Sequence, residues 1–222
     1  MDKGMIRAGL AATALFAGAI GTAQAVIIDF STCSGGTSGL TTCVSGASVT
    51  TFDATALGAL PAGYTGNGAV RQGSLSGKYA APAGDSTPYL SVPSTGSSGT
   101  VTLALSSSYN YFGLYWGSID SYNILRFFNE GGLVASVGGT EVVTALNLLG
   151  NQTNAGSNRY VDFFFGNLSF NRIEFVSNGY AFETDNHAVA RVPEPGTLAL
   201  FGAGLLAAGF MRRRRLEVES GA

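Results

Sequence analysis

Apolar and polar residues alternate with a period of two through the middle of the chain. Val101, Leu103 and Leu105 are separated by Thr102 and Ala104, Phe112, Leu114 and Trp116 by Gly113 and Tyr115, and Val161, Phe163 and Phe165 by Asp162 and Phe164, while Ile173 and Phe175 flank Glu174. That spacing turns every second side chain to one face and predicts strands. Further strands are expected at Val26 to Phe30, Val49 to Phe52, Tyr89 to Val92, Ile124 to Phe128, Leu133 to Val137, Gly179 to Phe182 and Ala188 to Arg191. Turn chemistry separates many of them, at Asn129-Glu130-Gly131-Gly132, Gly138-Gly139, Asn154 to Asn158 and Asn178-Gly179. About ten short strands with such turns predict an all-β fold, an antiparallel β-sandwich of jelly-roll type. A short helix competes at Val142 to Leu149, where Val142, Val143, Leu146 and Leu149 share one helical face. From Leu57 to Ser98 the chain is rich in Gly, Pro, Ser and Ala. It reads as a loop-rich flank or as a disordered linker, with Tyr64, Val70, Leu75 and Tyr79 giving it something to bury.

Both ends break the alternation. Lys3 and Arg7 precede an apolar stretch from Ala8 to Ile20, and Ala23-Gln24-Ala25 forms a small-x-small site, which together predict a secretory signal peptide over residues 1–25. At the other end Pro193 and Pro195 prevent a helix from running in from upstream. The apolar run Leu198 to Met211 follows and stops at Arg212, Arg213, Arg214 and Arg215. Fourteen helical residues span about 21 Å against a hydrocarbon core of about 30 Å, a gap narrowed by Thr197 and the snorkelling stems of Arg212 and Arg213. A buried core helix has the same length; the terminal position and the arginines favour a single transmembrane helix. The arginines are expected to stay cytoplasmic with residues 216–222, which places residues 26–191, the single domain, beyond the inner membrane.

The order Val192-Pro193-Glu194-Pro195-Gly196-Thr197, apolar helix, arginine cluster resembles the PEP-CTERM sorting signal of bacterial surface proteins. The resemblance covers residues 192–215. It implies that exosortase is a partner, that Pro193, Glu194 and Pro195 are the sorting and cleavage signal, and that the protein reaches the surface or exterior of a Gram-negative cell. Two internal segments, Tyr111 to Asn123 and Ala181 to Asn186, are similar to a Phe-Gly-x-Tyr-Trp-Gly-Ser-x-Asp motif and a late Phe-Glu-x-Asp-Asn motif in ectodomains of such proteins. They imply a sandwich fold and bring no ligand or catalytic set. Here the late motif runs into His187, where an apolar strand residue is expected.

Charge adds a constraint. The formal net charge of -2 hides six Lys or Arg against eleven Asp or Glu between Val26 and Pro195, a difference of five negative charges. An acidic exported part without a basic cluster argues against nucleic acid. With charged residues at 12%, Gly, Ser, Thr, Asn and Tyr must supply much of the polar surface. Cys33 and Cys43, the two cysteines, would face an oxidising compartment, and their close spacing favours a disulfide closing a small loop over free thiols. With the lone His187 far away in sequence they make no zinc set.

Catalytic motifs are missing from the sequence. There is no Gly-x-Ser-x-Gly elbow, Walker loop or His-Glu-x-x-His, and no spacing selects a carboxylate pair for glycoside hydrolysis, so the protein is read as no enzyme. Candidate ligand-binding residues are Trp116, Asp120, Tyr122 and Asn123, whose rings and polar groups suit sugars, notably exopolysaccharide. Asp120, Glu183, Asp185 and Asn186 are candidate calcium ligands. The plainer reading puts the aromatics in the core and makes Asp120 and Asn123 turn residues.

Overall fold

The computed structural model describes residues 26–30, 40–143 and 146–193. The expected signal peptide, Cys33, Glu194, Pro195, the apolar run and the arginines lie outside these residues. Among the described residues no helix is long and apolar enough to cross a membrane.

Strands dominate, in two antiparallel sheets. In chain order they are β1 (Ile27–Asp29), β2 (Ser48–Thr50), β3 (Tyr64–Gly66), β4 (Ala69–Arg71), β5 (Tyr89–Val92), β6 (Gly99–Tyr109), β7 (Tyr111–Gly117), β8 (Asn123–Asn129), β9 (Gly132–Gly138), β10 (Arg159–Phe164), β11 (Phe170–Ser177) and β12 (Phe182–Ala190). One sheet has seven strands in the order β1-β10-β7-β12-β5-β4, with β2 also paired to β12; the other has five, β3-β6-β11-β8-β9. The arrangement is that of a β-sandwich.

The alternating apolar residues meet between the sheets. Phe112, Leu114 and Trp116 of β7, Val161 and Phe163 of β10 and Phe182 of β12 pack against Val101 and Leu103 of β6, Leu125 and Phe127 of β8, and Ile173 and Phe175 of β11. Phe127 contacts the rings of Phe112, Phe163, Phe165 and Phe170, with centroids 4.8 to 5.7 Å away. Aromatic residues bury more area per side chain than any others, so this layer is the main source of stability.

The outer face of the seven-stranded sheet is covered too. Every residue of β7 is buried, including Tyr111, Gly113, Tyr115 and Gly117 on the face away from the core. Over Tyr115 and Gly117 the cover is the stretch before β5, whereas Tyr111 is met by Thr42, Val44 and Ala47. The Tyr89 hydroxyl donates to the Gly73 carbonyl at 2.6 Å, the Tyr115 hydroxyl donates to the Ala83 carbonyl at 2.6 Å, and the Ala83 amide donates to Asn158 Oδ1 at 3.1 Å. Gly117 permits this roof, since a Cβ there would sit 2.7 Å from Pro82 Cβ. Leu57 to Ser98 is therefore the loop-rich flank, and it contributes β3, β4 and β5.

Two expectations need correcting. Of the strand expected at Gly179 to Phe182 only Phe182 is in a strand, and it joins the one expected at Ala188 to Arg191 in a single strand, β12, in which the pairing with β7 shifts between Asp185 and Ala188 and Asn186 takes a positive φ of 52°. Polar residues fill its middle, Glu183 accepting the Ala80 amide on the covered outer face and His187 meeting the Tyr64 and Thr184 hydroxyls on the core side. The helix expected at Val142 to Leu149 is a single turn, Gly139–Val142, and a 3-10 turn at Leu146–Leu148.

Candidate functional site

Glu183 opens β12 on the outer face, opposite Ser91 of β5 and Gly117 of β7. It is 2% exposed, Oε1 accepts the Ala80 amide at 2.8 Å, and Oε2 has no hydrogen-bond partner. It lines a cleft of about 440 Å³ bounded by Ser74 to Ala80, by Ser118, Asp120 and Tyr122 of the β7–β8 turn, by Gly150 and Gln152, and by Tyr180 and Ala181. Ser118 Oγ is a second buried polar atom of this lining without a partner. Burial chiefly, with Asp120 adding repulsion, pushes the Glu183 carboxyl up to about 8, against the lowering effect of the Ala80 amide.

Asp120 is fixed from both sides. The Tyr122 hydroxyl donates to its Oδ2 at 2.7 Å and also contacts the Tyr180 carbonyl. Gly150 passes so close that a Cβ would lie 2.5 Å from Asp120 Oδ1, and its φ of +69° suits glycine alone. Burial raises the Asp120 carboxyl, partly offset by the Tyr122 hydrogen bond. At the lip Tyr180 is 38% exposed, with the Lys78 ammonium 4.5 Å above its ring and 3.1 Å from its hydroxyl.

The candidates from sequence are thus divided. Asp120, Tyr122 and Glu183, up to 63 positions apart, share the cleft. Trp116 does not: it is fully buried, with its ring stacked 4.7 Å from Phe182, and offers no face to a sugar. Asn123 is buried as well, donating to the Ala181 carbonyl at 3.2 Å and accepting from Ser177 at 2.9 Å. For Trp116 the plainer packing reading holds, whereas Asn123, expected there as a turn residue, is instead the first residue of strand β8.

The calcium set is split in the same way. Asp185 and Asn186 do not line the cleft; Asp185 is buried near Asp85, with Thr87 Oγ1 2.6 Å from Asp85 Oδ1 and 3.4 Å from Asp185 Oδ2. Burial first, and then Asp85, push the Asp185 carboxyl up to about 8, against the Asn186 backbone. Among the described residues no three of His, Cys, Asp and Glu come together to hold a metal.

His187 has turned into the core. Its Nδ1 lies 2.9 Å from the Tyr64 hydroxyl and its Nε2 2.8 Å from the Thr184 hydroxyl, and its ring stacks on Phe175 at 4.7 Å. Burial holds its pKa down at about 3, so the imidazole is neutral, one nitrogen donating and the other accepting. The register shift after Asp185 turns residue 187 towards the core, where the Tyr64 and Thr184 hydroxyls give both imidazole nitrogens partners.

A second site lies where the chain leaves the domain. The Asn110 side chain pairs with the Val192 backbone, Nδ2 donating to the carbonyl at 2.8 Å and Oδ1 accepting the amide at 2.7 Å, and Nδ2 also donates to the Gly166 carbonyl at 2.9 Å. Arg191 Nε donates to the Ser108 carbonyl at 2.8 Å. The chain is therefore held in place up to the residue before Pro193. Sequence reasoning missed Asn110, Lys78, Ser118 and Tyr180. Asn110 carried a weak signal, as the lone amide between two strand-like runs; the others carried none.

Cys43 is described and is not a free thiol, whereas Cys33 lies outside the described residues.

No curated protein matches the chain. Among solved structures it is similar to a Stig cyclase from Fischerella sp. TAU, at 10% identity and a TM-score of 0.35 over 68% of this chain and 87% of that one. It is also similar to the K2 cleaved adhesin domain of Lys-gingipain, at 14% identity and a TM-score of 0.33 over 67% of this chain and all of that one. At such TM-scores neither likeness carries an argument. The tail gives the firmer result: a family model of the PEP-CTERM protein-sorting motif matches residues 191–215, so the chain carries that sorting signal directly behind its β domain.

Proposed function

We propose that the protein is exported, held in the inner membrane by Leu198 to Arg215, and processed by exosortase for display at the surface or release into the matrix of a Gram-negative cell. There the sandwich has a structural or interaction role and no catalytic one. The observation that carries this reading is the sorting motif at residues 191–215. The Asn110 clamp supports it, because it holds the chain as far as Val192, the residue directly before the Pro193-Glu194-Pro195 signal in sequence. Export also suits a Cys33–Cys43 disulfide, which would brace the stretch between β1 and β2.

A second reading, a module that binds exopolysaccharide, is favoured by the cleft of Asp120, Glu183 and Tyr180. It needs no hydrolysis.

Deleting Leu198 to Arg215 tests the anchor. The truncated chain should move from the membrane fraction to the soluble exported fraction. Unchanged membrane association would contradict the proposal.

A further inference from the structure

We propose that the cleft between the β7–β8 turn and the start of β12 binds a neutral sugar residue, with Glu183 as hydrogen-bond donor, Asp120 as acceptor and the Tyr180 ring as stacking platform. The inference rests on the second reading above and assigns it a place and a ligand chemistry.

Geometry selects the ligand. The cleft, at about 440 Å³, falls within the range of small-molecule sites, about 300–1,000 Å³. Its floor holds two buried polar atoms without partners, Glu183 Oε2 and Ser118 Oγ, and a buried polar group left unpaired is costly. A ligand rich in hydroxyl groups satisfies both. At the lip Tyr180 is partly exposed, with the Lys78 ammonium over its ring, and its exposed surface can meet the apolar face of a sugar.

A cation is the competing ligand, since two carboxylates face the cleft. Protonation separates the two. The titratable groups around Glu183 are Asp120 and Tyr122 of the β7–β8 turn, Lys78 and Tyr79 of the covering stretch, Tyr180 before β12 and Tyr89 of β5. With its carboxyl up at about 8, Glu183 carries a proton at neutral pH, so Oε1 accepts the Ala80 amide while the acid hydrogen is free to donate to a sugar oxygen. A sugar that uses this donor binds the protonated form. Its affinity should be level below about pH 8 and fall about tenfold per pH unit above it, whereas a cation would bind the ionised form and gain affinity with pH.

The test is binding of the full-length chain in detergent to a panel of neutral polysaccharides and their free monosaccharides, from pH 6 to pH 10. Wild type should bind at least one polysaccharide with the pH profile above; whether a free monosaccharide competes shows whether one residue or a chain is recognised. Glu183→Gln keeps an acceptor for Ala80 and a donor for the ligand, so it should bind within a few-fold of wild type and lose the fall above pH 8. Tyr180→Ala, at an exposed ring, should weaken binding at least about tenfold without unfolding the protein. Sugar binding that both variants leave unchanged, in level and in pH profile, would overturn the assignment of the site while keeping the carbohydrate reading. No binding to any sugar of the panel would overturn both. Sugar affinity that rises with pH, or is abolished by Glu183→Gln, would overturn the role of Glu183 as donor and make its ionised carboxylate the binding group.

Discussion

Replacing Pro193, Glu194 and Pro195 together with alanine is expected to stop processing completely while leaving the protein in the membrane. The reason lies in how the tail divides its work. Leu198 to Met211 and Arg212 to Arg215 stay intact in the variant, so the transfer energetics that hold a helix in a bilayer and the positive charges that orient it barely change. A processing enzyme must read something besides an apolar span, and Pro193, Glu194 and Pro195 lie within the matched motif. They are also the first residues of the tail beyond the clamp of Asn110 on Val192. Immunoblots of inner-membrane and surface fractions from a host with active exosortase should show wild type shortened and displayed, and the variant at full length in the inner membrane. Equal size and location for both proteins would reduce the tail to a plain anchor.

The second large effect is on stability. Trp116→Ala should cost about 3–5 kcal/mol, the range for deleting a buried large aromatic side chain. Trp116 is fully buried and stacks on Phe182, so truncation opens a cavity that neighbouring strands, paired on both sides of β7, cannot close. Trp116→Phe should be much milder. It keeps most of the packing and removes Nε1, a buried donor with no partner. Urea unfolding curves of the three proteins measure the difference. A Trp116→Ala cost below about 1 kcal/mol would place the indole at the surface, where the sequence reading of a sugar platform had it.

That contrast shows where the sequence was legible. β7 was read correctly because Phe112, Leu114 and Trp116 alternate with residues of a different kind, and the same holds for β6, β10 and β11. What the pattern could not say is which face is wet. Tyr115 and Gly117 look like solvent-side residues, yet a roof that includes Ala83 and Pro82 buries them. The roof also hid β12. Glu183, Thr184, Asp185 and His187 fell between two expected short strands, because four polar residues rarely fill a buried strand. Here each finds hydrogen-bond partners or is held neutral by burial. β3 and β4 were missed for a simpler reason: each is three residues long, in a stretch whose glycines and prolines argue for turns.

The cleft was half legible. Asp120, Tyr122 and Glu183 were named from composition and local motif, but only the pairing of β12 with β7 brings residues 120 and 183 together. Tyr180 and Lys78 are ordinary in sequence and acquire meaning from sharing one lip. In the tail the position was the reverse, since its order of turn, apolar run and arginines was legible without any fold at all.

Intact mass spectrometry of the mature protein from its native host tests the central claim most directly, because it fixes both ends of the chain at once. A signal peptide cut after Ala25 and a sorting cut near Pro193-Glu194-Pro195 predict a surface form that begins at Val26 and has lost Leu198 to Arg215. A surface form whose mass still includes Arg212 to Arg215 would contradict processing by exosortase.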